Sequence, residues 1–194
     1  MKSTIILRKT YFFYENAMMF ERMLNEFKHN LIWGDSVKVF RNKTCLKWIV
    51  ISELIGILSG LLSMKGMVFF NENYQNAPLT PPGWLFAVVW TILYGLMGIG
   101  ACLVSNQESN GKNSCCLNLF IAQLIVNFFW PLIFFNALAF FGALVWILIL
   151  LALVIVMTVC FSKINRTAAW LQVPYMVWLS FAVYLNAAVW LLNV

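Results

Sequence analysis

The chain has 194 residues, 62% of them hydrophobic and only 10% charged, with a mean hydropathy of +0.83 and a net charge of +6. Soluble domains carry ~25% charged residues, so the composition excludes a water-soluble globular domain and points to an integral membrane protein. His29 is the only histidine and lies outside the apolar part, which excludes a histidine metal cluster, a His-based triad and axial histidine ligation of haem within the membrane.

The positive charge gathers at the start. Residues 1–47 hold nine Lys/Arg against four acids, Glu15, Glu21, Glu26 and Asp35. The simplest reading is a basic flank that contacts anionic headgroups, not a nucleic-acid surface. Residues 1–45 form an N-terminal extension in which aromatic and Met residues alternate with charges. A surface amphipathic helix, a targeting extension and disorder all fit it.

A membrane domain follows over residues 46–194. The expected architecture is all-α: an integral membrane bundle of five transmembrane helices, each ~20 residues long. The first runs from about Leu46 to Met64. Its Ser52, Gly56, Ser59, Gly60 and Ser63 share one face, and Gly56/Gly60 form a GxxxG that favours close helix packing. Glu53 is the one acid inside a predicted span. It is a candidate functional carboxylate, and it is also placed to reach the interface or to pair with Lys47.

A loop over 65–82 ends in Pro78, Pro81 and Pro82 and leads into the second helix, Gly83 to about Val104. Proline fixes φ and has no N–H, so it suits an entry turn. Trp90, Tyr94, Met97/Gly98 and Ala101 fall on one face of this helix. The third helix spans about Cys115 to Phe135, with Gln123, Asn127, Trp130 and Phe134 in a stripe and Pro131 as a source of a kink. The fourth, about Phe140 to Phe161, has Trp146 and Thr158 as its few polar atoms and is expected to face lipid on several sides. The fifth, about Ala168 to Leu192, carries Gln172, Tyr175, Ala182, Asn186 and Trp190 in a stripe, with Trp178 at its edge and a break at Pro174.

Five spans put the termini on opposite sides. With the N-terminus inside, Lys112, Lys163 and Arg166 join the nine basic residues of 1–47 on the inner side, against Lys65 alone outside. The expected topology is therefore multi-pass, with the N-terminus inside and the C-terminus outside, in a bacterial or organellar membrane. Five cysteines, none in a C-x-x-C pair, read as small apolar residues within helices.

Polar and aromatic stripes on helices two, three and five are more than a bundle needs in order to pack. They suit a flat, largely apolar ligand that stacks on indoles and hydrogen-bonds to amides. Acid–base pairs and nucleophile–base constellations are not visible.

Three stretches, PPGWLFAVVWTILYGLMG, the Gln123/Asn127/Trp130–Pro131 stripe, and PYMVWLSFAVYLN, resemble the TspO/MBR family of tryptophan-rich sensory proteins in bacteria and translocator proteins in mitochondria. The resemblance covers about Leu46 to Val194. It implies a five-helix bundle, often a homodimer, with an interior pocket capped by the first loop. It implies no required cofactor. The ligands it implies are tetrapyrroles such as protoporphyrin IX or haem-type rings, and drug-like small molecules of the benzodiazepine site. Some members bind cholesterol, and some promote light-dependent porphyrin breakdown linked to two tryptophans, which by motif position are Trp90 and Trp178. Asn127, Trp130 and Tyr175 also match family pocket positions. The expected ligand-binding set is therefore Trp90, Tyr94, Gln123, Asn127, Trp130, Tyr175, Trp178 and Asn186. A membrane receptor or sensor for tetrapyrroles is the leading function. A transporter of porphyrin- or sterol-like amphiphiles and a porphyrin-degrading photochemical activity are the alternatives. The stretch NENYQNAPLT lacks the tryptophan that many members carry there, which implies a reduced lid. The chain has no Lys or Arg after Tyr184, which favours tetrapyrrole over sterol.

Overall fold

The computed structural model describes residues 43–107 and 111–193. The N-terminal extension up to residue 42 lies outside the described residues. Six α-helices follow: α1 (Lys43–Asn73), α2 (Gly83–Ser105), α3 (Lys112–Pro131), α4 (Phe140–Ser162), α5 (Arg166–Trp170) and α6 (Val173–Leu192). A π-helical turn, Leu132–Asn136, continues α3. Together they supply five segments long and apolar enough to cross a membrane, with α5 and α6 sharing the fifth.

Two ends of the bundle can be told apart. The proline end carries residues 74–82, the α3–α4 connection and the end of α6. The other, here the cysteine end, carries the start of α1, the end of α2, the start of α3 and the α4–α5 connection.

α1 is longer than the hydropathy pattern predicts. It does not stop near Met64 but runs on through Lys65 and Glu72 to Asn73. Polar residues end an apolar run without ending a helix, and no proline occurs before Pro78 to stop it. The extension has its own packing, because Phe70 is buried among Tyr74, Phe134, Phe135 and Phe140.

The two internal prolines act as the sequence predicts. Pro131 has no N–H to give, and the next residue, Leu132, donates to Phe129 rather than back to Phe128. The Phe128 carbonyl so released accepts from Ser59 Oγ on α1 at 2.8 Å. In this way the break in the helical hydrogen-bond ladder recruits a serine from a neighbouring helix. Pro174 splits the fifth span, and the chain turns at Leu171 and Gln172 before α6 begins.

The small-residue face of α1 divides in two. Gly56 lies under the Tyr94 ring, where a Cβ would overlap the ring carbons. Gly60 faces open space. α2 approaches α1 closely a second time at Gly98, where a Cβ would come within 2.6 Å of the Ile49 Cα. α4 buries one stripe, Phe140, Ala143, Ile147, Leu150, Val154, Met157 and Phe161, and turns Leu148, Ile149, Ile155 and Val156 outward. Trp146 Nε1 donates to the Val126 carbonyl at 2.8 Å, so its single polar atom ties α4 to α3.

The cysteines are not merely small apolar residues. Cys45 is bonded to Cys102 and Cys116 to Cys160, with Cα–Cα distances of 4.8 and 5.6 Å, and Cys115 is free and exposed. Pairing joins residues on different helices, which spacing along one chain does not reveal.

Candidate functional site

The polar side chains of the predicted stripes meet inside the bundle. Tyr94 on α2 and Tyr175 on α6 are buried, as are Gln123 and Asn127 on α3. Asn127 Nδ2 donates to the Tyr94 hydroxyl at 3.0 Å. One turn away, the Tyr175 hydroxyl donates to Gln123 Oε1 at 3.1 Å, and Gln123 Nε2 points at Met97 Sδ at 3.7 Å. Trp90 connects the two pairs. Its ring centroid lies 5.5 Å from Tyr94 and 6.1 Å from Tyr175, tilted to one and edge-on to the other. Amides buried in hydrocarbon need partners, and here the two buried amides of α3, Gln123 and Asn127, each find a tyrosine hydroxyl.

Two predicted residues form a separate layer nearer the proline end. With the Asn186 amide assigned in the orientation that satisfies both its ends, Trp130 Nε1 donates to its oxygen at 3.1 Å and its nitrogen donates to the Phe140 carbonyl at 3.0 Å. Trp130 also stacks on Phe134 at 5.4 Å. This indole spans the two apolar clusters of the core.

Trp178 stands apart on the seam between α2 and α6. Its ring meets Phe86 at 5.4 Å and Phe181 at 5.7 Å. Its Nε1 is buried and has no hydrogen-bond partner. A buried indole N–H usually finds an acceptor, so this donor is in the position of a group awaiting one. Gln172 is a second such case, a residue outside the predicted set. Its Nε2 donates to Ala168 O at 3.2 Å while its Oε1 is unpartnered. The signal for it was its place in the stripe of the fifth predicted helix, although the structure puts it in the turn just before α6.

The eight residues fall into three groups: Trp90, Tyr94, Gln123, Asn127 and Tyr175 together, Trp130 with Asn186, and Trp178 alone. Five of them, Tyr94, Gln123, Asn127, Tyr175 and Asn186, are buried, and Trp90, Trp130 and Trp178 are half-buried. A shallow apolar groove of about 170 Å³ opens elsewhere, between α1 and α3, lined by Ile55, Leu124, Ile125, Phe128 and Phe129. None of the predicted residues lines it.

Glu53 lies half-buried on α1 and faces α2 at Gly95, where a Cβ would stand 3.5 Å from Glu53 Oε1. It does not pair with Lys47, whose Nζ sits over the Trp48 ring at 5.8 Å. Among the described residues no group of three or more His, Cys, Asp or Glu is arranged to hold a metal ion.

The short loop at the proline end is held from two sides. Gln75 exchanges two hydrogen bonds with Asn193, and the Tyr184 hydroxyl reaches the Pro78 carbonyl at 3.4 Å. Ala77 is buried beneath it. The loop therefore closes the proline end without the tryptophan absent from its sequence.

Comparison with known proteins gives the same assignment. The family model of the TspO/MBR family matches residues 48–191. The chain is 36% identical over 141 residues to the tryptophan-rich protein TspO of Chlorobaculum tepidum, covering 72% of this chain and 89% of that protein. It is 37% identical over 118 residues to the translocator protein of Homo sapiens, covering 60% and 70% of the two chains. With the tryptophan-rich sensory protein of Cereibacter sphaeroides it shares 33% identity over 122 residues, 63% and 75% of the respective lengths. Five membrane-length helices, their polar–aromatic interior and these matches agree, and the chain belongs to the TspO/MBR family.

Proposed function

We propose that this protein is a membrane receptor or sensor that binds a tetrapyrrole of the protoporphyrin IX type between α2, α3 and α6. The observation that carries the reading is the buried, unpartnered Nε1 of Trp178, whose ring lies between Phe86 and Phe181 on the α2–α6 seam. Such a donor matches an acceptor on a flat ring system, such as a peripheral carboxylate. Trp90, Tyr94 and Tyr175 offer stacking surface, and Gln123, Asn127, Trp130 and Asn186 offer polar contacts once their mutual bonds open. Sensor and translocator are the words in the names of the relatives, and a membrane role in sensing or transport agrees with both. The sensor reading is preferred because Glu53 is the one acid within the apolar runs, Glu72 lying at the last turn of α1, which is too few for a proton relay across the membrane.

In this reading residues 46–194 form the binding domain and residues 1–45 a basic extension that touches anionic lipid. The N-terminus and the cysteine end lie on the inner side, the proline end on the outer, by the distribution of Lys and Arg. The domain works as a homodimer, as the family resemblance implies.

The test is a titration of purified protein with protoporphyrin IX, followed by quenching of tryptophan fluorescence. Saturable quenching that is weakened in a Trp90→Phe/Trp178→Phe variant supports the site. Quenching equal in the two proteins shows that the ligand binds elsewhere.

A further inference from the structure

We propose that Cys116 and Cys160 form a thiol–disulfide exchange site that locks the α3–α4 hairpin, while Cys45–Cys102 is a protected bond. Both bonds lie at the cysteine end, and each closes a hairpin at its open side. α1 and α2 are already joined through residues 74–82, and α3 and α4 through residues 132–139. The disulfides, with sequence separations of 57 and 44, convert each hairpin into a covalent ring. The fifth span belongs to neither ring.

Surroundings set the two bonds apart. Cys45 and Cys102 are 1% and 0% exposed. The Asn106 amide also covers their sulfurs, with Nδ2 3.2 Å from Cys102 Sγ and 3.7 Å from Cys45 Sγ. In the second pair Cys116 is buried, but Cys160 is half-buried and three positions from Lys163, which ends α4 in an exposed turn. Exchange begins with attack by a thiolate on one sulfur, so access to that sulfur sets the rate. Cys160 is the least buried of the four paired cysteines, so its Sγ is the one that a small polar thiol attacks.

The exchange balances with a small dithiol as reductant. One thiolate of the dithiol attacks Cys160 Sγ, and the Cys116–Cys160 bond breaks. Cys116 leaves as a thiolate and takes up a proton. The second thiolate of the dithiol then attacks the mixed disulfide, releases Cys160, which is protonated in turn, and closes the reagent into a cyclic disulfide. Two electrons and two protons pass to the cysteine pair. The cyclic disulfide drives the reverse reaction. Reduction frees the cysteine ends of α3 and α4, and with them the lower part of the stripe that carries Gln123.

The full chain in lipid nanodiscs tests this, first fully oxidised with cyclic dithiothreitol and then given a low concentration of reduced dithiothreitol. Samples are acid-quenched over time, denatured, alkylated with N-ethylmaleimide and mapped by mass spectrometry. Before reduction only Cys115 takes label. On reduction Cys116 and Cys160 gain label on the order of tenfold faster than Cys45 and Cys102, as access-limited exchange requires. Equal rates, faster opening of Cys45–Cys102, or label on all five cysteines before reduction would each overturn the proposal. Amide exchange supplies the second readout. Residues 112–120 and 156–162 exchange faster in the reduced protein and in a Cys116→Ser/Cys160→Ser variant. Unchanged exchange in the reduced wild-type protein would show that the bond locks nothing, whether or not the variant folds.

Discussion

Asn193 grips the backbone of Gln75 with both ends of its amide. The Gln75 N–H donates to Asn193 Oδ1 at 2.9 Å, and Asn193 Nδ2 donates to the Gln75 carbonyl at 3.0 Å. This clasp joins residues 118 positions apart and pins the loop before the prolines to the end of α6. Asn193→Ala removes both bonds. Each intramolecular hydrogen bond contributes ~0.5–1.5 kcal/mol net, so the loop loses roughly 1–3 kcal/mol of local stability. Amide exchange at residues 74–80 should quicken accordingly, with the α2–α3 core unchanged. If exchange there is the same as in wild type, the loop is held by the burial of Ala77 and not by the clasp.

The two glycines of the α1 GxxxG should respond in opposite ways. A methyl group at Gly56 would overlap the Tyr94 ring, whereas one at Gly60 meets nothing within 4 Å. Overpacking costs typically ~1–3 kcal/mol, and Gly to Ala in an exposed helix position gains up to ~1 kcal/mol. Gly56→Ala should therefore lower the melting temperature and disturb the Tyr94–Asn127 hydrogen bond. Gly60→Ala should leave the melting temperature level or raise it. A Gly60→Ala protein that melts as low as Gly56→Ala would mean that Gly60 packs against a second copy of the chain.

Much of this was legible in the sequence, for identifiable reasons. Apolar runs of bilayer length mark five spans because hydrocarbon forces every backbone group into helical bonds. Spacing of i, i+4 and i+7 places Gln123, Asn127 and Trp130 on one side of α3, and the structure keeps them on the bundle side. The partners of those residues were not legible. Periodicity gives a direction from the helix axis and no neighbour, so Tyr94 with Asn127 and Tyr175 with Gln123 had to be seen in three dimensions. The cysteine pairs stayed hidden for the same reason. The end of α1 was missed because hydropathy reports the bilayer boundary, and a helix that crosses that boundary with Phe70 buried beyond it gives no sign.

The Asn127–Tyr94 bond is measurable by a double-mutant cycle of Asn127→Leu and Tyr94→Phe. Hydrogen bonds between membrane helices average ~0.6 kcal/mol in such cycles, with ~1.7 kcal/mol as an upper value. Both groups are buried and 3.0 Å apart, so a coupling in the upper half of that range is expected. Unfolding in mixed micelles, followed by tryptophan fluorescence, supplies the four stabilities. A coupling near zero would mean that the two side chains find other partners when separated, and the site would then be looser than its geometry.

Trp178 offers the sharpest separation of binding from stability. Its Nε1 is buried without an acceptor, so Trp178→Phe deletes a donor that contributes nothing to the folded state. An unpaired buried polar group costs ~1–3 kcal/mol, and removing it offsets part of the packing lost with the smaller ring. The melting temperature should therefore change little, because the contacts with Phe86 and Phe181 can be kept by a phenyl group. Ligand affinity should fall. A hydrogen bond to a charged acceptor is worth ~1.5–3 kcal/mol, which corresponds to a roughly ten- to hundredfold rise in the Kd for protoporphyrin IX. Tyr175→Phe should behave in the reverse order, because it leaves Gln123 Oε1 buried without its donor and destabilises the fold directly. Its melting temperature should drop while the affinity of the protein that remains folded changes less. If Trp178→Phe melts early and binds normally, the indole N–H has an acceptor within the protein and the ligand site lies elsewhere on the α2–α6 seam.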